Sequence, residues 1–171
     1  MLSVTHPDVP VVIREARAED QTAVVEICRA SGRDAWSPKA LIPSETRIVL
    51  VATIDDVVLA VAKTHLHEEA DDDAPAGHYL GGVVVDPRMR RQGLGSVLTK
   101  ARMQWIGERS NRAFYFTDER NTASIEMHSQ FGFVPIAAAL SIRGVSADDE
   151  GGNVVLYDAL APLGVRRRIR R

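Results

Sequence analysis

Three consecutive valines, an Asp-Pro stop and a glycine-bearing turn into an amphipathic helix constrain this chain more than any other feature. The stretch runs from His78 to Lys100 and reads H-Y-L-G-G-V-V-V-D-P-R-M-R-R-Q-G-L-G-S-V-L-T-K. Val83, Val84 and Val85 are β-branched and predict a strand; Asp86-Pro87 ends it, because proline has no N–H to give to a ladder. Leu94, Val97, Leu98, Ala101 and Trp105 then recur with helical spacing and predict one apolar helix face. Between strand and helix lies Arg90-Arg91-Gln92-Gly93-Leu94-Gly95. The first amides of a helix have no internal partner, and the dipole adds partial positive charge there. Glycines at 93 and 95 keep side chains away from those amides, so a pyrophosphate can approach them, with Ser96 in the first turn. The competing reading of the same string is a plain strand-turn-helix connection with solvated arginines.

The rest of the chain sets bounds. Its 171 residues, 45% hydrophobic and 26% charged, predict one globular domain over residues 1–165. The first ten residues lack the basic-then-apolar order of a secretion signal, and no apolar run reaches the ~20 residues of a membrane helix. The single cysteine, Cys28, excludes an internal disulfide and fits the reducing cytoplasm; its helical spacing with Val24 makes it a core residue. A net charge of −2 argues against a dedicated nucleic-acid binder. Arg166, Arg167, Arg168, Arg170 and Arg171 concentrate positive charge in a tail over residues 166–171, which is expected to be solvated and disordered.

Read in order, Val11–Ile13 predicts a first strand and Val24, Ile27 and Cys28 a first helix stopped by Ser31-Gly32. Residues 31–45 mix turn formers with Trp36, Leu41 and Ile42 and predict a loop with a short helix after Ser37-Pro38. Thr46–Ile54 and Val57–His67 predict a hairpin turning at Asp55-Asp56, apolar on both faces and so covered on both. His65, His67 and Glu69 alternate onto one strand face; without a further anchored ligand they read as a polar edge, and no metal is expected. The acidic run Glu68–Asp73 reads as a solvated hairpin tip. Ala113–Thr117 predicts a buried strand, Asp118–Asn121 a turn into a helix reaching about Phe131, Gly132 to about Ile142 another strand, and Val154–Tyr157 the last.

Arg90-x-x-Gly93-x-Gly95 after a Val-Val-Val-Asp-Pro strand resembles the acyl-CoA motif of the GCN5-related N-acetyltransferases. The string N-T-A-S-I-E-M-H-S-Q-F-G-F resembles the second signature of that family through Asn121, Ser124, Gly132 and Phe133. His128 stands where many members carry tyrosine, as in a subset resembling phosphinothricin-type acetyltransferases. From the residues alone, Asn121 also reads as a helix N-cap, Ser124 as a solvent-facing hydroxyl and His128 as a core-edge histidine. The two signatures cover about a third of the chain.

The resemblance implies an α/β (α+β) fold with a mixed, mostly antiparallel sheet flanked by helices and splayed between its fourth and fifth strands. It implies an enzyme that transfers acetyl directly from acetyl-CoA to a primary amine, with a small molecule favoured over a protein N-terminus or lysine. A non-catalytic module that binds CoA or a partner on the same fold is the alternative. The cofactor contacts it implies are Val83, Val84, Val85, Arg90, Arg91, Gln92, Gly93, Leu94, Gly95, Ser96, Asn121 and Ser124. Gly81-Gly82 permits the bulge whose N–H the family uses on the thioester carbonyl. Trp36 is placed in the acceptor wall, or at the core edge. His128 is expected to protonate the leaving thiolate. Family members with a strand-four glutamate carry it where this chain has Tyr79, which leaves the base open among His78, Glu119 and a water chain. A homodimer is compatible with the family.

Overall fold

In the computed structural model, which describes residues 10–163, one seven-stranded sheet carries the molecule. Its strands are β1 (Val12–Glu15), β2 (Val49–Ile54), β3 (Val57–His67), β4 (Gly77–Val85), β5 (Arg112–Asp118), β6 (Val134–Ala139) and β9 (Val154–Leu160). Two short strands, β7 (Ser141–Ile142) and β8 (Val145–Ser146), pair as a separate hairpin. The helices are α1 (Gln21–Ala30), α2 (Leu94–Gly107) and α3 (Thr122–Ser129). Strands lie in the order β1-β2-β3-β4-β5-β9-β6, and every neighbouring pair is antiparallel except β4 and β5. This is the mixed, splayed sheet the sequence implied.

Local chemistry explains the meander of the first four strands. Asp55 and Asp56 close the β2–β3 hairpin with φ of 49° and 61°, a two-residue turn with both residues in the left-handed region, whose geometry matches the right-handed twist of the strands; aspartate tolerates that region. Arg14 at the end of β1 forks onto the Asp20 carboxylate at 2.7 and 2.8 Å, and the Arg17 N–H donates to the same group at 2.8 Å. The Arg14 hydrogen bonds hold the buried Asp20 carboxyl below its usual range, and together these contacts fix the entry of α1.

Both faces of the sheet are covered. Val49, Val51, Val61 and Val84 meet Val24, Ile27 and Cys28 of α1 on one face. Leu50, Ala52, Ala60 and Ala62 meet Leu94 and Leu98 of α2 on the other. Each fully buried valine or leucine contributes roughly 1.5–3 kcal/mol relative to exposure, so this alternation fixes which face of the sheet meets which helix.

Two irregularities of β4 prepare the site. Ala62 of β3 stands opposite Val83 and Thr64 opposite Leu80, so Gly81 and Gly82 together face Lys63 in a bulge. On its other edge β4 pairs with β5 at two positions, His78 with Ala113 and Tyr79 with Phe114. Beyond them the strands part.

Several boundaries differ from the sequence reading. β2 starts at Val49 because Ser44 and Arg47 close a tight turn, and the Arg47 guanidinium donates to the carbonyls of Lys39 and Ile42 at 2.9 and 2.7 Å. The strand expected to reach Ile142 stops at Ala139, since Arg143 and Gly144 (φ of 50° and 75°) turn the chain into the β7–β8 hairpin. α3 ends at Ser129, and Gly132 (φ of 83°) turns the chain toward β6. The Arg-rich tail lies outside the described residues. Among the described residues no helix is long and apolar enough to cross a membrane.

Candidate active site

Where β4 and β5 part, a cleft of about 1460 Å³ opens. Gly81 to Val85 form one wall, and Tyr115 to Asp118 with Asn121, Ser124 and His128 form the other. Arg90, Arg91 and Gly93 to Ser96 close one end; Trp36, Lys63, His65 and His67 flank the opposite end of the β4 wall.

At the first end, Gly93 is the N-cap of α2 in the left-handed region, with φ of 82°. A Cβ there would meet nothing within 4 Å, so conformation, not space, demands the glycine. The turn aims the α2 amides into the cleft, with Arg90 and Arg91 beside them. An elongated diphosphate ligand fits this end. Gln92 belongs to the same turn yet stays outside the wall.

At the bulge, close approach demands the glycines. A Cβ on Gly81 would lie 2.8 Å from the His65 ring, and one on Gly82 would lie 3.1 Å from the Trp36 ring. The Lys63 ammonium sits over that indole at 4.2 Å from its centroid, and Gln21 donates to the Trp36 carbonyl at 2.8 Å. Trp36 therefore stands beside the bulge, with its ring and its backbone both held. Burial, with help from the Lys63 charge, lowers His65 to about 4, so its imidazole is neutral at pH 7.

On α3, Asn121 is both N-cap and cleft wall: its Oδ1 accepts from the Ser124 N–H at 3.2 Å, and its Nδ2 donates to Thr117 Oγ1 at 3.1 Å. His128 is buried, stacked 3.9 Å from Tyr115, with Nδ1 2.7 Å from the Ser124 carbonyl. A carbonyl only accepts, so Nδ1 carries the proton. Burial lowers the group to about 4, which makes it neutral at pH 7. A neutral imidazole protonated at Nδ1 presents a lone pair at Nε2. His128 thus lies in the cleft wall with its one proton engaged by the Ser124 carbonyl.

Of three further candidates, two lie outside the cleft wall. His78 points away from the cleft, edge-on to Trp105 of α2 at 5.5 Å. Strand alternation puts it on the face opposite Tyr79. Glu119 lies outside the wall as well; its carboxylate accepts from the Asn153 N–H at 3.1 Å and ties two loops together. Tyr79 lines the cleft, but its hydroxyl donates to the Pro75 carbonyl at 2.7 Å, and burial pushes it up. None of these three presents a free base.

Sequence reasoning missed Lys63, Tyr115 and Arg102. Lys63 shares a strand face with His65 by a period of two, a signal that was available. Arg102 follows Leu98 by four and precedes Ile106 by four, which places it on the buried stripe of α2; Val97, expected there, is 42% exposed.

The sequence profile of the acetyltransferase (GNAT) family matches residues 12–133. The chain belongs to that family. No curated protein matches it in sequence. Among solved structures it is similar to the ribosomal-protein-S18-alanine N-acetyltransferase of Escherichia coli, with a TM-score of 0.71 at 18% identity over 92% of this chain and 98% of the other. A protein provisionally named a phosphinothricin N-acetyltransferase aligns with a TM-score of 0.67 at 16% identity, over 90% and 99% of the two chains. YncA of Salmonella typhimurium, provisionally named an acetyltransferase and solved with its cofactor acetyl-CoA, aligns at 0.66 and 20% identity over 89% and 94%. These likenesses establish a shared fold. The acetyltransferase uses acetyl-CoA as co-substrate.

Proposed function

We propose that this acetyltransferase acetylates the primary amine of a small molecule that enters past Trp36, Lys63 and His65. The observation that carries this reading is the Trp36 ring held against Gly82 beneath the Lys63 ammonium, which walls the acceptor side of the bulge. Acetyl-CoA supplies an activated thioester; the chain's residues orient it and handle protons. Arg90, Arg91 and the amides after Gly93 hold the diphosphate, Val83 to Val85 line the pantetheine arm, and Asn121 and Ser124 border it on α3. N–H groups of the bulge donate to the thioester carbonyl as negative charge grows there.

The acceptor must lose a proton, and a lysine-like amine has a pKa of ~10.4. His65, neutral and set against Gly81, accepts a hydrogen bond from the amine and hands the proton toward His67 and solvent, their rings 6.1 Å apart. At about 4 the imidazole is too weak to hold that proton, so the neutral fraction of the amine limits the rate. kcat/KM should therefore rise with pH toward the amine's own pKa and show no plateau near pH 6.5. The leaving thiolate, near ~8.5 in pKa, takes its proton from water.

Free-thiol release from acetyl-CoA, measured over a panel of small amines and an N-terminal-alanine peptide, tests the reading. Turnover with small amines, with a KM that rises in Trp36→Ala while acetyl-CoA affinity holds, is the expected result. Faster acetylation of the peptide than of every small amine would overturn it.

A further inference from the structure

Arg102 of α2 is fully buried, and no carboxylate among the described residues pairs with it. An arginine in that setting normally carries an acidic partner, because a buried charge without compensation is costly. Here the compensation comes from neutral oxygens. One terminal guanidinium nitrogen donates to the carbonyls of Lys63 at 3.1 Å and Gly81 at 3.0 Å, the other terminal nitrogen donates to Thr99 Oγ1 at 2.8 Å, and the buried Nε has no partner among the described residues. Lys63 and Gly81 face each other at the bulge, where the β3–β4 ladder loses its regular partners. Arg102 thus supplies the donors that the bulge removes. Although burial lowers the group to about 9, it remains a cation at pH 7.

The Gly81 carbonyl belongs to the same peptide unit as the Gly82 N–H. A cation bonded to the carbonyl draws electron density along that unit and strengthens its N–H as a donor, the cooperative effect of hydrogen bonds in series. Gly81 and Gly82 both line the cleft, and Arg102 lies behind them on the α2 side of the sheet.

We propose that Arg102 is a positioning residue for acetyl transfer, one that clamps the Gly81-Gly82 bulge and polarises its peptide so that the bulge amides bind the thioester carbonyl more strongly as negative charge develops. It touches neither acetyl-CoA nor acceptor and acts through the backbone. This rests on the proposed placement of the thioester at the bulge and extends it to the group that tunes the site. The charge left without a carboxylate is offset when the reacting carbonyl oxygen becomes negative on the far side of the same peptide.

The test reads the carbonyl directly. Isotope-edited infrared spectra of [1-13C]acetyl-CoA bound to the full chain report hydrogen-bond strength at the thioester oxygen and need no acceptor. The band should move to lower frequency on binding the parent protein, and Arg102→Met should reverse most of that movement. In the same variant, kcat should fall by roughly tenfold or more, with CoA affinity within about twofold of the parent as expected of a distant diphosphate site. A role confined to holding the fold would lower thermal stability and leave the band of the folded variant in place. If Arg102→Met does not fold, Arg102→Gln replaces it, since a neutral amide still offers donors to the two carbonyls; an intermediate band shift is then expected. An unshifted band in the parent, or a full parental shift in either folded variant, overturns the proposal. Calorimetry of acetyl-CoA binding to the parent separates this from the wider reading. If acetyl-CoA does not bind, the proposed cofactor site fails first; if it binds without a band shift, the placement of the thioester at the bulge fails; if the band shifts equally in the parent and in Arg102→Met, Arg102 alone loses its role.

Discussion

His128 shows how one side chain can match a family motif and still be held in an unexpected protonation state. Stacked on Tyr115 and bonded through Nδ1 to the Ser124 carbonyl, it is held neutral, its pKa lowered from 6.5 to about 4 chiefly by burial. The folded value lies below the unfolded one, so between them the unfolded chain binds a proton that the folded chain refuses. The contribution is therefore complete above pH 6.5 and is lost as pH falls toward 4, with a ceiling on the order of 3 kcal/mol. Thermal melts from pH 7.5 to 4.5 should show this acid loss, and His128→Phe, which keeps an aromatic ring against Tyr115, should flatten it; an unchanged slope would assign the acid sensitivity to His65, shifted in the same direction. The motif Asn121-x-x-Ser124-x-x-x-His128 was legible in sequence because it follows helical spacing. The tautomer was not, because it depends on a carbonyl one turn away and on the ring of β5. His78 and Glu119 misled for the same reason: their chemistry was visible, but the face on which each side chain emerged was not.

Among the elements, the turn into α2 carries the clearest consequence. Gly93 combines φ of 82° with open space beside it, so Gly93→Asp introduces both backbone strain and a carboxylate at the anion end of the cleft. Acetyl-CoA binding measured by calorimetry should be abolished while the far-UV spectrum is kept; binding at parental affinity would remove the turn from the diphosphate site. Asp-Pro, the glycines and the valine run announced this element plainly, and the β2–β3 turn at Asp55-Asp56 was equally readable. The β7–β8 hairpin was not. Arg143 and Gly144 turn the chain there, and the Arg143 guanidinium reaches back to the carbonyls of Glu69, Ala74 and Pro75 at 2.9 to 3.2 Å, a long-range contact that no local pattern encodes. The face of α2 was misjudged by a fraction of a turn for a related cause: an arginine at its centre reads as a solvent residue until the bulge that needs its donors is known.

Across the whole molecule, the sheet divides into two sets of strands, β1 to β4 and β5 with β9 and β6, joined by the two paired positions between β4 and β5. α2 bridges the sets through contacts with Leu50 and Ala52 on one side and with Tyr115 and Ala159 on the other. The chain after β9 closes over the end of that helix, where a Cβ on Gly107 would come within 1.7 Å of the Pro162 carbonyl. Gly107→Ala should therefore displace the segment after β9 and destabilise by about 1–3 kcal/mol, lowering Tm by roughly 2–4 °C per kcal/mol for a chain of this size; an unaltered Tm would mean that the segment does not dock in solution. The two-rung seam has a different kind of consequence, one of timing. Backbone protons along the parted edges of β4 and β5 have no strand opposite to shelter them, so they should exchange with deuterated solvent far sooner than those of β2 and β3. An acetyl-CoA arm lying in the gap would act as the missing strand. The slowing it imposes, residue by residue from Gly81 to Val85, would trace the path of the substrate through the enzyme.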